Sequence, residues 1–213
     1  MITTEKSLMR FGSIILAAGA SSRMGRPKLL LPWGATTVLG QLISQWQGLR
    51  ADQIAVVCAT GDQGIEHELD RLGFPPQNRI ANSTPQLGMF SSIQCAARWP
   101  GWSASLSHWI IILGDQPHLS AMTLRALIDF SAANPEMICQ PSRNRRPRHP
   151  VLLPKAALER LRNSPEDNLK SFLHTISPNR ALCEIDDPGL DLDIDHPADY
   201  ERAIQFFSSQ MNS

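Results

Sequence analysis

The segment "LAAGASSRMGRPK", residues 16–28, carries side chains suited to binding phosphate. It follows an apolar run, and its Gly19 and Gly25 would let the backbone turn and present N–H groups to an anion. Arginine and lysine supply the charge that a polyphosphate needs. The cations of the segment are Arg23, Arg26 and Lys28. The alternative is a tight strand-to-loop turn with solvated arginines.

A carboxylate follows a second apolar segment. In "WIIILGDQP" the run of isoleucines leads directly into Gly114 and Asp115. Magnesium in nucleotide sites takes one or two carboxylates and completes its shell with phosphate and water oxygens. Asp115 is therefore a candidate Mg²⁺ ligand, and the alternative is a turn or helix-capping aspartate.

Three more carboxylates lie near the end of the chain, in "GLDLDIDHPADY" at residues 189–200. Asp191, Asp193 and Asp195 alternate with leucine and isoleucine, so we expect a strand that presents them on one face. Like charges on one face repel unless a cation or water relieves them. We expect a second metal ligand among Asp193 and Asp195. The alternative is a solvated edge strand, with Asp195 capping the last helix.

These residues need elements that bring them together. Short apolar runs rich in isoleucine and valine alternate with helical patterns, which predicts an α/β sheet with helices on both faces. Ligands bind at the carboxyl ends of strands in such sheets, and both Gly19 and Asp115 follow predicted strands. The predicted strands are 13–17, 53–59, 109–114 and 136–140, and the predicted helices are 37–48, 61–72, 90–99 and 120–133.

The pattern changes after about residue 140, where a loop with prolines and arginines leads into a strand at 149–153. Helices near 154–163 and 166–176, a strand at 181–186 and a helix from Pro197 follow. We expect Asp62 and Ser120 to cap their helices and Pro197 to occupy a first turn. One domain over residues 1–213, with an antiparallel-leaning C-terminal part, fits this pattern.

The composition restricts the functions further. The 213 residues carry 20 basic and 20 acidic side chains, so the zero net charge argues against a nucleic-acid or membrane surface. No apolar run approaches the roughly 18 residues of a membrane span, and we expect a cytoplasmic protein. Four cysteines without a C-x-x-C pair are expected to be reduced thiols. They are Cys58, Cys95, Cys139 and Cys183.

Two common nucleotide motifs are absent. The glycine and lysine spacing of the first segment does not fit the P-loop, and no G-x-G-x-x-G fingerprint occurs. A nicotinamide-dependent oxidoreductase is therefore disfavoured. None of the six histidines has an obvious paired serine or cysteine, so nucleophilic catalysis is not indicated either.

Five segments resemble the molybdenum cofactor nucleotidyltransferases, in particular the cytidylyltransferase branch. They are "LAAGASSRMGRPKLLL", "QLGMFSSI", "ILGDQP", "RHPVLLP" and "DIDHPADY", in order over about residues 13–205. The resemblance implies a Rossmann-like nucleotidyltransferase (GT-A-like) fold, a three-layer α/β/α structure with a mostly parallel sheet. It also implies Mg²⁺-dependent transfer of CMP from CTP to molybdopterin, the product passing to a molybdoenzyme. A nucleotide-binding part at about 12–118 would precede an acceptor-binding part at about 119–208.

Site residues follow from the same resemblance. Arg23 and Lys28 would hold the triphosphate, Asp115 would bind the metal, and the late acidic segment matches at Asp193 and Asp195. The acceptor would meet Arg148 and His149. The nucleotide pocket would be lined by Leu16, Ala17, Ala18, Gly19, Gly88, Met89 and Ser92.

The sequence departs from the family pattern at two positions. Arg148 replaces the usual glycine before the His-Pro pair, where it could contact a phosphate, and His196 replaces the usual threonine. The methyl group of Ala18, where guanylyl-transferring relatives carry a second glycine, favours CTP. GTP, another phosphorylated acceptor, or a non-catalytic carrier of the molybdenum cofactor are the alternatives.

Overall fold

A computed structural model describes residues 9–19, 21, 24–176 and 179–211, with side chains up to residue 209. Arg23 lies outside the described residues, so its predicted role in phosphate binding has no structural counterpart here.

The core of the fold is a sheet of eight strands in the order β10-β7-β9-β6-β1-β4-β5, with β8 paired to β7. A separate two-stranded sheet is formed by β2 and β3. The strands are β1 Phe11–Leu16, β2 Pro32–Trp33, β3 Thr36–Thr37, β4 Gln53–Ala59, β5 Arg79–Asn82, β6 His108–Ile112, β7 Ile138–Arg143, β8 Arg146–Pro147, β9 Val151–Pro154 and β10 Arg180–Glu184.

The large sheet is mostly parallel. Strand β1 runs parallel to both β4 and β6, β4 to β5, and β10 to β7. Strand β9 lies antiparallel between β6 and β7, so those two strands share the common direction. The carboxyl ends of six strands therefore meet at one edge of the sheet, as the sequence predicted for the residues after β1 and β6.

Helices cover both faces of the sheet. Along β1, Ile15 packs into one apolar cluster and Ile14 into the other, because successive side chains of a strand point to opposite faces. The first cluster takes residues from α1, α2, α4 and α7, and the second from α3, α5 and α6. The helices are α1 Val38–Gly48, α2 Gln63–Arg71, α3 Met89–Arg98, α4 Ala121–Ala133, α5 Lys155–Arg162, α6 Leu169–Thr175 and α7 Pro197–Met211. The three-layer α/β/α prediction is confirmed.

The predicted helix starts are also confirmed. The Asp62 carboxylate accepts a hydrogen bond from the Ile65 backbone N–H at 3.1 Å. The Ser120 hydroxyl accepts one from the Thr123 N–H at 3.0 Å, and α7 begins at Pro197. All four cysteines are free thiols, two of them buried and two half-buried.

The strand expected through Asp191, Asp193 and Asp195 is wrong. Residues Pro188–Asp191 form a 3₁₀ helix instead. Its start is fixed by the Asp187 carboxylate, which accepts the Gly189 N–H at 2.8 Å. The proline suits the first turn of a helix, and the side-chain cap holds the backbone away from strand pairing. The three aspartates therefore do not share one strand face.

Over the described ranges, no helix is both long and apolar enough to cross a membrane.

Candidate functional site

The carboxyl ends of β1 and β6 approach each other closely at Gly114. A Cβ atom there would lie 2.7 Å from the Cδ2 atom of Leu29 and 3.3 Å from the carbonyl oxygen of Leu16. Only glycine fits this contact without a shift of its neighbours. The contact brings the loop after β1 to the position where Asp115 leaves β6.

Lys28 and Asp115 meet at this edge, as predicted. The Nζ atom of Lys28 lies 3.5 Å from Oδ2 of Asp115 and donates a hydrogen bond to the Ile194 carbonyl at 3.2 Å. The two side chains are 19% and 17% exposed, so the pair is largely shielded from water but still reachable. The Lys28 backbone N–H donates to the Ser21 hydroxyl at 3.1 Å, which fixes the loop that carries the lysine.

Asp115 has an unused oxygen. Its Oδ1 atom is buried and has no hydrogen-bond partner among the described residues. Burial raises the pKa of this carboxyl group; Lys28 opposes the shift, and the charge of Asp195 adds to it. A cation at Oδ1 would satisfy the atom and favour the ionised carboxylate.

The late acidic segment is joined to the end of β6 by two further hydrogen bonds. The Ile194 N–H donates to the Asp115 carbonyl at 3.0 Å. The Gln116 Nε2 group donates to Oδ1 of Asp193 at 2.8 Å. These bonds place Asp193 near Asp115 without any strand pairing.

The carboxylates of this segment affect one another. Asp193 is exposed, but the protein atoms around its carboxylate partly desolvate it and raise its pKa, and the charge of Asp115 raises that pKa further. The charge of Asp195 also raises the pKa of both Asp115 and Asp193. Among the described side chains, however, no group of three or more His, Cys, Asp or Glu residues has the arrangement of a metal cage. Oxygen donors from two carboxylates, with an unsatisfied atom on one, fit Mg²⁺, which completes its shell with phosphate and water.

The predicted acceptor residues lie beside Asp193. Burial lowers the pKa of His149, and the charge of Asp193 opposes that shift. The His149 Nδ1 atom is buried without a partner in the described structure. The Arg148 guanidinium is bound by Asp191, which also accepts from Arg143. Arg148 and His149 thus border the carboxylates, with the arginine held in an ion pair.

The predicted nucleotide residues fall into two groups. Leu16 ends β1 and is followed by Ala17, Ala18 and Gly19; the first two of the four are buried, Ala18 is half-buried and Gly19 is exposed. Gly88 and Met89 begin α3 and are exposed, and the φ of 88° at Gly88 favours glycine there. Ser92 is buried, and its hydroxyl accepts a hydrogen bond from Asn82. The structure therefore places Ser92 under the loop rather than at its exposed surface.

Sequence reasoning missed two residues of this region. Gln116 is part of the quoted "ILGDQP" but received no role, and Asp191 was grouped with the other aspartates rather than with Arg143 and Arg148. The only sequence signal for Gln116 was its position directly after Asp115 in this motif. The pairing of Asp191 depends on a contact distant in sequence and had no local signal.

A groove of about 1170 Å³ lies elsewhere, between α1, α4 and α7. None of Lys28, Asp115 and Asp193 lines it. Size alone therefore does not identify the site, and the clustered ionisable groups carry more weight.

The chain is similar in sequence to known proteins. A family model described as the MobA-like NTP transferase domain matches residues 13–181. The chain is 30% identical over 202 residues to the molybdenum cofactor cytidylyltransferase of Escherichia coli K12, covering 92% of this chain and 96% of that protein.

Solved structures agree in fold. A nucleotidyl transferase from Methanothermobacter superimposes with a TM-score of 0.77 at 21% identity, covering 94% of this chain and 99% of that one. A Mycobacterium tuberculosis protein crystallised as a complex with manganese superimposes with a TM-score of 0.67 at 24% identity, covering 93% and 100%. At these identities the likeness concerns the fold alone.

Proposed function

The chain belongs to the MobA-like NTP transferase family and is a nucleotidyltransferase, and from this premise we propose that it transfers CMP from CTP to a molybdopterin-type acceptor. Pyrophosphate is the second product, and the divalent metal that the reaction needs is Mg²⁺. The relative in Escherichia coli with 30% identity supports the choice of nucleotide and acceptor.

One observation carries the proposal: the Lys28–Asp115 pair with the unsatisfied Oδ1 atom of Asp115. A triphosphate needs a cationic side chain on its oxygens and a carboxylate that holds the accompanying metal. Both are present at the carboxyl edge of the sheet, where the loop from β1 supplies the lysine. Arg23, which the resemblance predicts to hold the triphosphate, would be the second cationic side chain on its oxygens.

The reaction is a displacement at phosphorus. A phosphate oxygen of the acceptor forms a bond to the α-phosphorus of CTP. The bond from that phosphorus to the oxygen bridging the β-phosphate breaks, and pyrophosphate leaves with the electron pair. Because the acceptor phosphate is already an anion, no side chain has to remove a proton. The protein contributes position and charge neutralisation.

The residues divide this work. Lys28 binds triphosphate oxygens, and Asp115 with Asp193 would hold Mg²⁺, with Asp195 as the further candidate. When bound, the ion neutralises charge on the phosphates. Arg148 and His149 hold the acceptor phosphate. Leu16, Ala17, Ala18, Gly19, Gly88 and Met89 line the nucleotide pocket, and Ser92 supports it through Asn82.

We also propose that one domain carries both substrates. Residues of about 12–118 bind the nucleotide, and residues of about 119–208 bind the acceptor. The late carboxylates would then lie where the two substrates meet, and the product would pass to a molybdoenzyme.

The test offers each nucleoside triphosphate in turn with Mg²⁺ and molybdopterin to the purified full chain and measures pyrophosphate. Release with CTP alone is expected. Asp115→Asn should lower the rate at least about 100-fold, because it removes charge at the metal. The matched control is Asp129→Asn, an exposed position on α4, which should keep the wild-type rate.

Two other results would contradict the proposal. Release with GTP alone would assign a guanylyltransferase. Binding of molybdopterin without release from any nucleotide would assign a carrier of the cofactor.

A further inference from the structure

Gln116 is a buried glutamine that directly follows the proposed metal ligand Asp115. Its side chain is 5% exposed, and its Nε2 group donates a 2.8 Å hydrogen bond to Oδ1 of Asp193. Burying a carboxamide costs free energy unless its polar atoms find partners. A methionine of similar length would fill the same space without that cost, so the amide itself needs an explanation.

The hydrogen bond to Asp193 explains why an amide is present at position 116. Asp193 carries a negative charge near two others, on Asp115 and Asp195. Lys28 makes its hydrogen bonds to Asp115 and to the Ile194 carbonyl rather than to Asp193. In the part of the chain that the structure describes, Gln116 provides the side-chain hydrogen bond to this carboxylate.

The Gln116 side chain that donates to Asp193 is uncharged, and this affects how strongly Asp193 attracts a cation. An arginine or lysine at this place would fix Asp193 but would also cancel its charge and weaken its attraction for a cation. A carboxamide N–H fixes one carboxylate oxygen and leaves the full negative charge on the group. The second oxygen, Oδ2, stays available to a ligand.

We propose that Gln116 is a positioning residue that holds Asp193 beside Asp115, so that both carboxylates bind the same divalent cation. The inference rests on the proposed metal site and adds to it the residue that orients its second ligand. Outer partners of metal-binding carboxylates typically change metal affinity by about 10–100-fold when they are removed.

The test titrates the full chain with Mn²⁺ alone and follows free Mn²⁺ by electron paramagnetic resonance. Gln116→Met should weaken Mn²⁺ binding about tenfold. Asp193→Asn should weaken it as well. In the Asp193→Asn background, Gln116→Met should have almost no further effect, because the group through which it acts is gone.

Gln140 offers a matched control. It is also a buried glutamine, and its side chain bonds the Arg148 carbonyl and the Arg180 guanidinium rather than Asp193. Gln140→Met should lower thermal stability but leave Mn²⁺ affinity unchanged. Gln116→Asn, too short to reach Asp193, serves if Gln116→Met does not fold, and should give the same tenfold loss.

The outcomes separate the inference from the function on which it rests. A wild-type chain that binds no Mn²⁺ overturns the proposed metal site and this inference with it. Mn²⁺ binding by the wild type that is unchanged in Gln116→Met overturns the inference alone. An equal loss in the wild-type and Asp193→Asn backgrounds also overturns it, since Gln116 would then act without Asp193.

Discussion

At the scale of one residue, the buried carboxylate of Asp115 carries a cost in folding free energy. Its Oδ2 atom faces Lys28 at 3.5 Å, while Oδ1 is buried without a partner in the described structure. A buried polar atom left without a hydrogen bond costs about 1–3 kcal/mol. In the proposed function, a cation bound at Oδ1 would offset this cost.

Arg148 is one of the two positions at which the sequence is expected to depart from the family pattern. Its guanidinium does not project freely into the site, because Nε donates to Oδ1 of Asp191 at 2.8 Å and Nη2 bonds the same oxygen. The guanidinium groups of Arg143 and Arg148 hold the pKa of the Asp191 carboxyl below its usual range. The ion pair limits the side chain to few rotamers, which lowers the entropy cost of binding an anion.

Replacing Arg148 with the usual glycine tests whether it binds the acceptor. For Arg148→Gly we expect KM for the acceptor to rise about tenfold, the loss of one charge-assisted contact of about 1.4 kcal/mol. KM for CTP should stay the same in pyrophosphate-release assays. Arg146→Gly, on the exposed strand β8, is the matched control and should change neither value. A larger effect on CTP than on the acceptor would contradict the assignment.

At the scale of elements, capped helix starts fix the chain where it leaves the sheet. Helix α4 follows the Asp115 loop and is capped by Ser120, whose hydroxyl accepts the Thr123 N–H at 3.0 Å. The Thr123 hydroxyl in turn bonds Asp187, at the start of the late acidic segment. One helix start therefore connects the β6 loop with that segment.

Removing this cap should lower stability. Ser120→Ala leaves the Thr123 N–H without its acceptor, and the free energy of unfolding should fall by about 1 kcal/mol. Urea denaturation followed by circular dichroism measures the change. Ser120→Asn restores a capping oxygen and should recover most of the loss. If both variants were equally unstable, the cap would not be the cause.

Features that depend on local interactions could be predicted from the sequence, whereas contacts between residues distant in sequence could not. Strand β4 was predicted with its observed bounds, 53–59, since an apolar run buried on both faces is a local signal. The late aspartates were misassigned because alternation suggested a strand, whereas Pro188 and the Asp187 cap impose a turn. Part of the arrangement was predicted: the topology placed the segments of Lys28 and Asp115 at the same edge of the sheet. The partners of Gln116 and Asp191 could not be, because they depend on side-chain contacts distant in sequence.

At the scale of the whole molecule, buried histidines are expected to lower the free energy of unfolding in acid. Burial lowers the pKa of His108, although the Pro135 carbonyl and the charge of Glu136 oppose the shift. Its Nε2 lies 2.9 Å from the Pro135 carbonyl, and its Nδ1 lies 2.8 Å from the Ser107 hydroxyl. A carbonyl only accepts, so Nε2 carries a proton toward Pro135, and the Ser107 hydroxyl at Nδ1 also bonds the Arg10 carbonyl at 3.1 Å. Burial lowers the pKa of His118 as well.

Stability should therefore decline on acidification. The unfolded chain binds a proton at His108 with a pKa near 6.5, above that of the folded state. The free energy of unfolding that neutral His108 contributes is fully present above pH 6.5. It is lost as the pH falls below 6.5, by at most about 1.4 kcal/mol per pH unit for each such histidine. Urea denaturation at pH 7.5, 6.5 and 5.5 measures the slope. His108→Gln should flatten the slope between pH 6.5 and 5.5, and an unchanged slope would exclude His108 as a source.

The contact between Lys28 and the Ile194 carbonyl also has a consequence for synthesis of the polypeptide. The two residues are 166 positions apart in the chain. At about 5–20 residues per second, a ribosome needs about 8–33 s (166 divided by 20 and by 5) to pass from one to the other. During that interval the nascent chain contains Lys28 and then Asp115, but not the segment that carries Asp193. Asp115 and Asp193 can therefore come together only after residue 193 has been made, and the proposed metal site would form only then.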